Sequence, residues 1–320
     1  MLSTLEILLP VFGLIFAGFV CRKRGLLGPT AASELNRFVV WLALPALLFD
    51  IMAHATWHQL YQPAFVATFA LSCSVVFVLI LVVRLLSGRP LADASVDAIA
   101  GSYPNTGYIG FPLCLIAFGQ ASQTPTTIAT ILVACVLFAI AIVLIEVGLQ
   151  TERAPHRLAF KVVRSLARNP LIVSPIVGVL VASVHVTLPQ SAETFLKLLG
   201  GAASPCALVS LGLFLAEKRT PADRSSAPST SNHVASWALT GAKLLLQPAL
   251  TWWLAARVFA LSPMLVEMSV VLAALPTGTG PFMLAEFYRR EAHITSRTIL
   301  LSTLGSLVTL SLLLLYMPHG

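Results

Sequence analysis

Charge is what this sequence has least of. Only 10% of its 320 residues are Asp, Glu, Lys or Arg, against about 25% in a soluble domain, while 57% are hydrophobic and the mean hydropathy is +0.88. That shortage excludes a soluble fold, and no hydrophilic stretch is left over to make a separate soluble domain. Clustered cysteine is also missing. Cys21, Cys73, Cys114, Cys135 and Cys206 are scattered through or beside apolar segments without CxxC spacing, so neither a disulfide framework nor a metal site is indicated, and no cofactor is expected. They read as small apolar packing residues. Acidic residues are absent from the middles of the apolar segments. Glu6, Asp50, Asp93, Asp97, Glu146, Glu193, Glu267 and Glu286 all fall near segment ends, which removes the usual proton or sodium relay. No HExxH motif, paired mid-segment aspartates or Ser/His pair occurs at membrane depth, so no catalytic residue is assigned. The net charge of +7 does not indicate nucleic acid, because the Lys and Arg fall in short loops rather than on a basic face.

What is present is a succession of apolar stretches of about 20 residues, each long enough to cross a lipid bilayer as a helix. Turn signals and charge clusters predict an all-α polytopic protein of about ten spans, at 4–21, 35–53, 63–86, 94–118, 126–149, 170–188, 194–216, 236–260, 265–288 and 297–317. The first apolar run carries its charges (Arg22, Lys23, Arg24) after it rather than before, which reads as a retained span and not a signal peptide. Of the 20 Lys and Arg, Lys243 lies inside a span and Lys197 and Arg257 fall on one side. The remaining 17 fall on the other. The positive-inside rule therefore puts both termini outside, and the compact loops suit a bacterial inner membrane.

The longest inside loop, 151–169, reads as an amphipathic linker on the membrane surface. It separates a first repeat of five spans (1–150) from a second (170–320). An odd number of spans per repeat inserts the second half upside down, the inverted-repeat arrangement of many secondary transporters. Pro45 of "LALPALL" in span two then corresponds to Pro205 of "AASPCAL" in span seven, and Pro104 in span four to Pro276 in span nine.

Spans four and nine are the ones least suited to a continuous helix. "GSYPNTGYIGFPL" supplies Pro104, Asn105, Thr106, Gly107, Gly110 and Pro112, and "ALPTGTGPF" supplies Pro276, Thr277, Gly278, Thr279, Gly280 and Pro281. Such breaks are tolerated at membrane depth only where protein or a water-lined cavity receives the freed backbone groups. Two of them at matching positions of inverted halves predict a crossover near the bilayer midplane, where half-helix N-termini form a carboxylate receptor. Asn105 is the first candidate ligand, since its amide both donates and accepts. Thr106, Thr277 and Thr279, beside Gly107 and Gly278, either donate hydroxyls to substrate or cap the adjoining half-helices. For Lys243 two readings stand. It snorkels to the inner surface, or it gives electrostatic support to the crossover by attracting an anion or holding a broken-helix C-terminus.

These landmarks together resemble the auxin efflux carrier family, whose bacterial members include carriers of malonate and other dicarboxylates. The resemblance spans essentially the whole chain, through "LPVFGLIFAGFVCRKRGLL", "LALPALLF", "PNTGYIGFPL", "NPLIVSPIVGVL", "PCALVSLGLFL", "KLLLQP" and "LPTGTGPFMLAEFY". It implies the fold of bile acid/sodium symporters and sodium/proton antiporters, with carboxylate bound where spans four and nine cross. It further implies a scaffold of spans one, two, six and seven, an elevator-like transport domain of spans three to five and eight to ten, and homodimerisation through the scaffold. Asn105 matches the family's span-four asparagine. The span-nine asparagine is absent, with Gly280 in that register. The sequence thus predicts a secondary transporter of small organic anions such as malonate or malate, or auxin-like acids. A sodium- or proton-coupled symporter of the same fold is the alternative, and an intramembrane enzyme or non-transporting sensor is a remote one.

Overall fold

The computed structural model describes residues 2–55, 61–150, 155–184, 188–216 and 230–316. Arg153, Lys218, Arg219 and Arg224, counted above with the inside loops, lie outside the described residues. Every regular element among the described residues is helical. The first half runs α1 (Leu2–Lys23), α2 (Ala31–Ala53), α3 (Pro63–Leu86), α4 (Leu91–Ser102), α5 (Phe111–Phe118), α6 (Gln123–Ile131) and α7 (Phe138–Leu149). A surface helix α8 (Pro155–Leu166) meets α9 (Pro170–Ser183) at a bend of 70°. There follow α10 (Gln190–Gly201), α11 (Ala203–Leu215), α12 (Thr230–Gly241), α13 (Gln247–Trp253), α14 (Pro263–Ala274), α15 (Gly280–Phe287) and α16 (Ala292–Tyr316).

Three wide π-helical turns, Val39–Ala43, Thr106–Gly110 and Ala242–Leu246, lie just ahead of Pro45, Pro112 and Pro248. A proline cannot donate to the preceding turn and clashes with it, and a π turn absorbs that defect without ending the helix.

Five helical runs among the described residues are long and apolar enough to cross a membrane: Ala31–Ala53, Pro63–Leu86, Thr106–Leu149, Gln190–Leu215 and Ala292–Leu315. A sixth is counted if the bent pair at α8 and α9 is one span. Much of the difference from the expected ten has physical causes. α4 and α14 stop after 12 residues each. The 44-residue run Thr106–Leu149 counts once, although it turns sharply at Gly119, whose φ of +64° is open to glycine. The stretch from Thr230 to Val258 is less apolar because it carries Lys243, Gln247 and Arg257.

The solvent-free faces are inverted relative to a soluble protein. Large apolar side chains such as Phe16, Leu79, Ile176, Leu180 and Val308 are exposed, while Ser72, Asp97, Lys243, Gln247 and Ser302 are fully buried. The molecule is an integral membrane protein. With no hydrophobic drive between helices in lipid, close packing relies on small residues. A Cβ on Gly18 of α1 would stand 2.2 Å from the Val209 carbonyl oxygen of α11, and one on Gly212 would stand 2.0 Å from that of Ile15. α1 and α11 therefore touch backbone to backbone. One buried charge is met by its opposite: Arg84 Nε donates to Asp97 Oδ2 at 2.6 Å, joining α3 to α4, with Asp97 fully inaccessible.

Candidate functional site

Both interrupted segments leave the helix for the same local reason. A residue before proline is pushed out of the helical region into extended backbone. Tyr103, ahead of Pro104, has φ −98° and ψ 92°, and Leu275, ahead of Pro276, has φ −57° and ψ 148°. α4 accordingly ends at Ser102 and α14 at Ala274. On the other side of the second interruption Pro281 lies in the first turn of α15, where a missing N–H costs nothing, whereas the first helix resumes at Thr106 and takes up Pro112 through its π turn.

Between these ends the two extended segments pair. Pro104 and Thr277 form an antiparallel bridge, with Asn105 N–H donating to Pro276 O at 2.9 Å and Gly278 N–H to Tyr103 O at 3.0 Å. Thr277 is locked further. Its hydroxyl donates to Ala100 O at 2.9 Å, and its N–H to the Ser302 hydroxyl at 3.1 Å. The carbonyl ends of the interrupted helices are taken up by side chains one turn apart on a single helical stretch. Lys243 Nζ donates to Ala273 O at 2.6 Å, and Gln247 Nε2 donates to Ser102 O at 3.2 Å. Lys243 is 0% exposed; its ammonium holds a helix C-terminus instead of snorkelling.

The opposite ends of the interruption, where helix resumes, are not satisfied in this way. Among the described residues the N–H groups of Gly107, Tyr108, Thr279 and Gly280 donate to no carbonyl. Asn105 and Thr279 occupy the N-cap positions, yet neither side chain caps. The Asn105 amide, 8% exposed, makes no hydrogen bond within the described protein. These groups converge on one cavity of about 260 Å³, lined from the crossing by Tyr103, Asn105, Thr106, Gly107, Thr279 and Gly280. Val39, Leu44 and Leu48 of α2, Phe138 of α7, and Gly200, Gly201, Ala203 and Ser204 at the α10–α11 junction add to its wall. Of the sequence-assigned residues, then, Asn105, Thr106, Gly107 and Thr279 face the cavity. Thr277, Gly278 and Lys243 do not line it and build the crossing behind it. No group of three His, Cys, Asp or Glu able to hold a metal occurs among the described residues.

Comparison with known proteins places this helical membrane protein among transporters. The sequence pattern of a family described as membrane transport protein matches residues 3–314. The chain belongs to this family. It is the auxin efflux carrier family whose motifs the sequence displays. Among its relatives, a protein of Rhizobium meliloti (strain 1021) named "Putative malonate transporter" is 31% identical over 318 residues, covering 98% of this chain and 96% of the relative. The "Uncharacterized transporter YfdV" of Escherichia coli (strain K12) is 23% identical over 306 residues, 94% of each chain. Auxin efflux carrier component 8 of Arabidopsis thaliana is 22% identical, over 94% of this chain and 93% of its own.

Sequence reasoning missed several residues of this family member's site. Gln247 is legible in hindsight from its place four residues after Lys243, on the same helix face. Tyr103 carried no signal beyond its position before Pro104, and Ser302 none. Also unread was a second cavity of about 490 Å³, lined by Ser33, Phe214, His233, Arg289, Arg290 and Arg297 together with Glu286 and Glu291. Arg290 pairs with Asp93, Glu291 with Arg89, and Arg297 with His233. Phe214 of this second cavity meets Phe282 edge to face at 5.2 Å, and Trp41 meets Phe287 at 6.3 Å. The Tyr288 hydroxyl beside them donates to Glu146 Oε1 at 2.8 Å and accepts from Asn169 Nδ2 at 3.3 Å.

Proposed function

We propose that this membrane transport protein is a secondary transporter of small carboxylates, malonate and malate being the reference substrates, working without a coupling sodium ion. The observation that carries the reading is the pair of helix starts with unpaired N–H groups facing one cavity, beside the unengaged Asn105 amide. Backbone N–H groups at a helix start, reinforced by its dipole, are a receptor for carboxylate. Asn105 and the N–H groups of Gly107 and Gly280 bind the anion, Thr106 and Thr279 add hydroxyls, and Lys243 offsets the negative helix end behind them. The malonate named for the Rhizobium relative is of the same chemistry.

The sodium-coupled alternative is disfavoured by where the carbonyls go. Ala273 O and Ser102 O at the interrupted helix ends already receive Lys243 and Gln247, and Ala100 O receives Thr277. A desolvated cation at the crossing would share those oxygens with the buried Lys243 ammonium, which repels it. An inside-negative potential favours outward movement of each anionic charge by about 2.3 kcal/mol per 100 mV, so export needs no coupling ion.

The movement we propose is of the elevator type, in two inverted five-span repeats with both termini outside. α1, α2 and α9 to α11 form the fixed scaffold, and the crossing travels with the remaining helices. In support, the site cavity is walled on one side by α2 and the α10–α11 junction and on the other by the crossing. The aromatic contacts of Phe214 and Trp41, with the Asn169 to Tyr288 hydrogen bond, close its cytoplasmic side in that orientation. Beyond them the arginine-lined cavity attracts anions from the cytoplasm.

The test is charge movement in proteoliposomes on a panel of mono- and dicarboxylates, with and without a sodium gradient, for the parent protein and Asn105→Ala. A sodium-independent current that the variant loses is the expected result. A current that requires sodium selects the symporter, and a folded protein silent across the panel overturns the assignment.

A further inference from the structure

Gly280 opens α15 at the cavity without a side chain, and the structure shows what takes that space. A Cβ on Gly280 would stand 3.1 Å from both Cζ and Oη of Tyr103 and 3.0 Å from Cε2 of Phe138. On Gly278 it would meet Tyr103 Cε1 at 2.8 Å and Cδ1 at 3.0 Å. The Tyr103 ring thus lies against the backbone of 278–280, with Phe138 packed beside it at a centroid distance of 5.9 Å. Its hydroxyl is delivered to the start of α15, beside the unpaired N–H groups of Thr279 and Gly280. That hydroxyl makes no hydrogen bond among the described residues, although Tyr103 lines the cavity. A largely buried tyrosine normally finds its O–H a partner.

We propose that Tyr103 is a specificity-determining residue, its hydroxyl donating to the second carboxylate of a short dicarboxylate whose first is held by Asn105. The inference rests on the transport reading above and narrows it from carboxylates in general to dicarboxylates. Each helix start then has a side-chain donor from the segment between α4 and α5. Asn105 serves the start at Thr106, and Tyr103 serves the start at Gly280. A monocarboxylate leaves the Tyr103 donor unmatched, and a site built to bond a polar group discriminates strongly against an analogue lacking it.

The test compares transport of radiolabelled malonate and propionate in proteoliposomes by the parent protein, Tyr103→Phe and Asn105→Ala. Tyr103→Phe keeps the ring that packs on Gly278 and Gly280 and removes only the hydroxyl. It is expected to lower the malonate-to-propionate ratio of kcat/KM by about 10- to 100-fold, the range of a hydrogen bond to a charged group. Asn105→Ala is expected to depress both acids together. An unchanged ratio in Tyr103→Phe, or an equal loss of both acids, overturns the role of the hydroxyl while the crossover site stands. Full transport by Asn105→Ala, or a parent protein that moves neither acid, overturns the crossover site and this inference with it.

Discussion

Replacing Gly212 by alanine places a methyl group where α1 and α11 already touch. The new Cβ would stand 2.0 Å from Ile15 O and 2.9 Å from Phe19 N, and ordinary contact begins at 3.4 Å. The helices must therefore part by about 1.4 Å at that point, the difference of those distances, because the obstruction is backbone and cannot rotate aside. A gap of only 0.5–1 Å already forfeits roughly a quarter to a half of a dispersion contact. Overpacking costs roughly 1–3 kcal/mol, and an unyielding obstacle puts this case near the top of that range. Alanine returns about 1 kcal/mol through helix propensity, which leaves a net loss of about 2 kcal/mol. Gly13, on the same helix α1, has nothing within 4 Å of its added Cβ, so Gly13→Ala feels only the propensity gain. Thermal unfolding of the detergent-purified protein, followed by the loss of the monodisperse peak on size-exclusion chromatography, compares the two. Gly212→Ala should unfold at a lower temperature than the parent protein, and Gly13→Ala at the same or a higher one. Equal behaviour of the two variants would refute the packing argument.

The threonines of the second interruption should separate by role: Thr277→Val strands the buried Ala100 carbonyl and costs about 1–3 kcal/mol of stability. Thr279→Val, whose hydroxyl caps nothing, should leave the unfolding temperature unchanged and raise the KM for carboxylates. Arg84→Met abandons the inaccessible Asp97 carboxylate and should destabilise by about 3–5 kcal/mol. Adding Asp97→Leu to it should recover most of that loss in the same unfolding assay, and failure to recover would mean that the pair is not the cause. Replacing sodium by choline on both sides of the proteoliposome membrane should leave carboxylate flux unaltered, since the carbonyls at the crossing are occupied by Lys243, Gln247 and Thr277.

How much of this was legible in the sequence depends on whether local chemistry or tertiary approach decides each feature. The helical membrane class and the family follow from apolar run length and from motifs such as "PNTGYIGFPL". Departure from helix at Pro104 and Pro276 is likewise a local consequence of what proline does to its predecessor. Roles within the crossing were not legible, because neighbouring residues of one type face different ways. Thr277 and Thr279 are two residues apart, yet one is bonded into the bridge and the other faces the cavity. The two readings of Lys243 differ only in whether α14 ends within reach, which no spacing along the chain reveals. Tyr103 was invisible for a related reason: its importance lies in a space that glycines at 278 and 280 leave open from the other half of the chain.

The bridge between Pro104 and Thr277 is made by main-chain groups of residues 103, 105, 276 and 278, and the side chains that brace it come from positions 243, 247, 277 and 302. The side chains of Asn105 and Thr279 have no part in that bracing, whereas the Tyr103 ring packs on Gly278. On the proposed function, a lineage that exchanges Asn105 or Thr279, or only the Tyr103 hydroxyl, changes its cargo while the stitching of the two chain segments remains as it was. On that proposal substrate preference is cheap to evolve within one membrane architecture, whose bacterial and plant relatives bear the names of malonate and auxin.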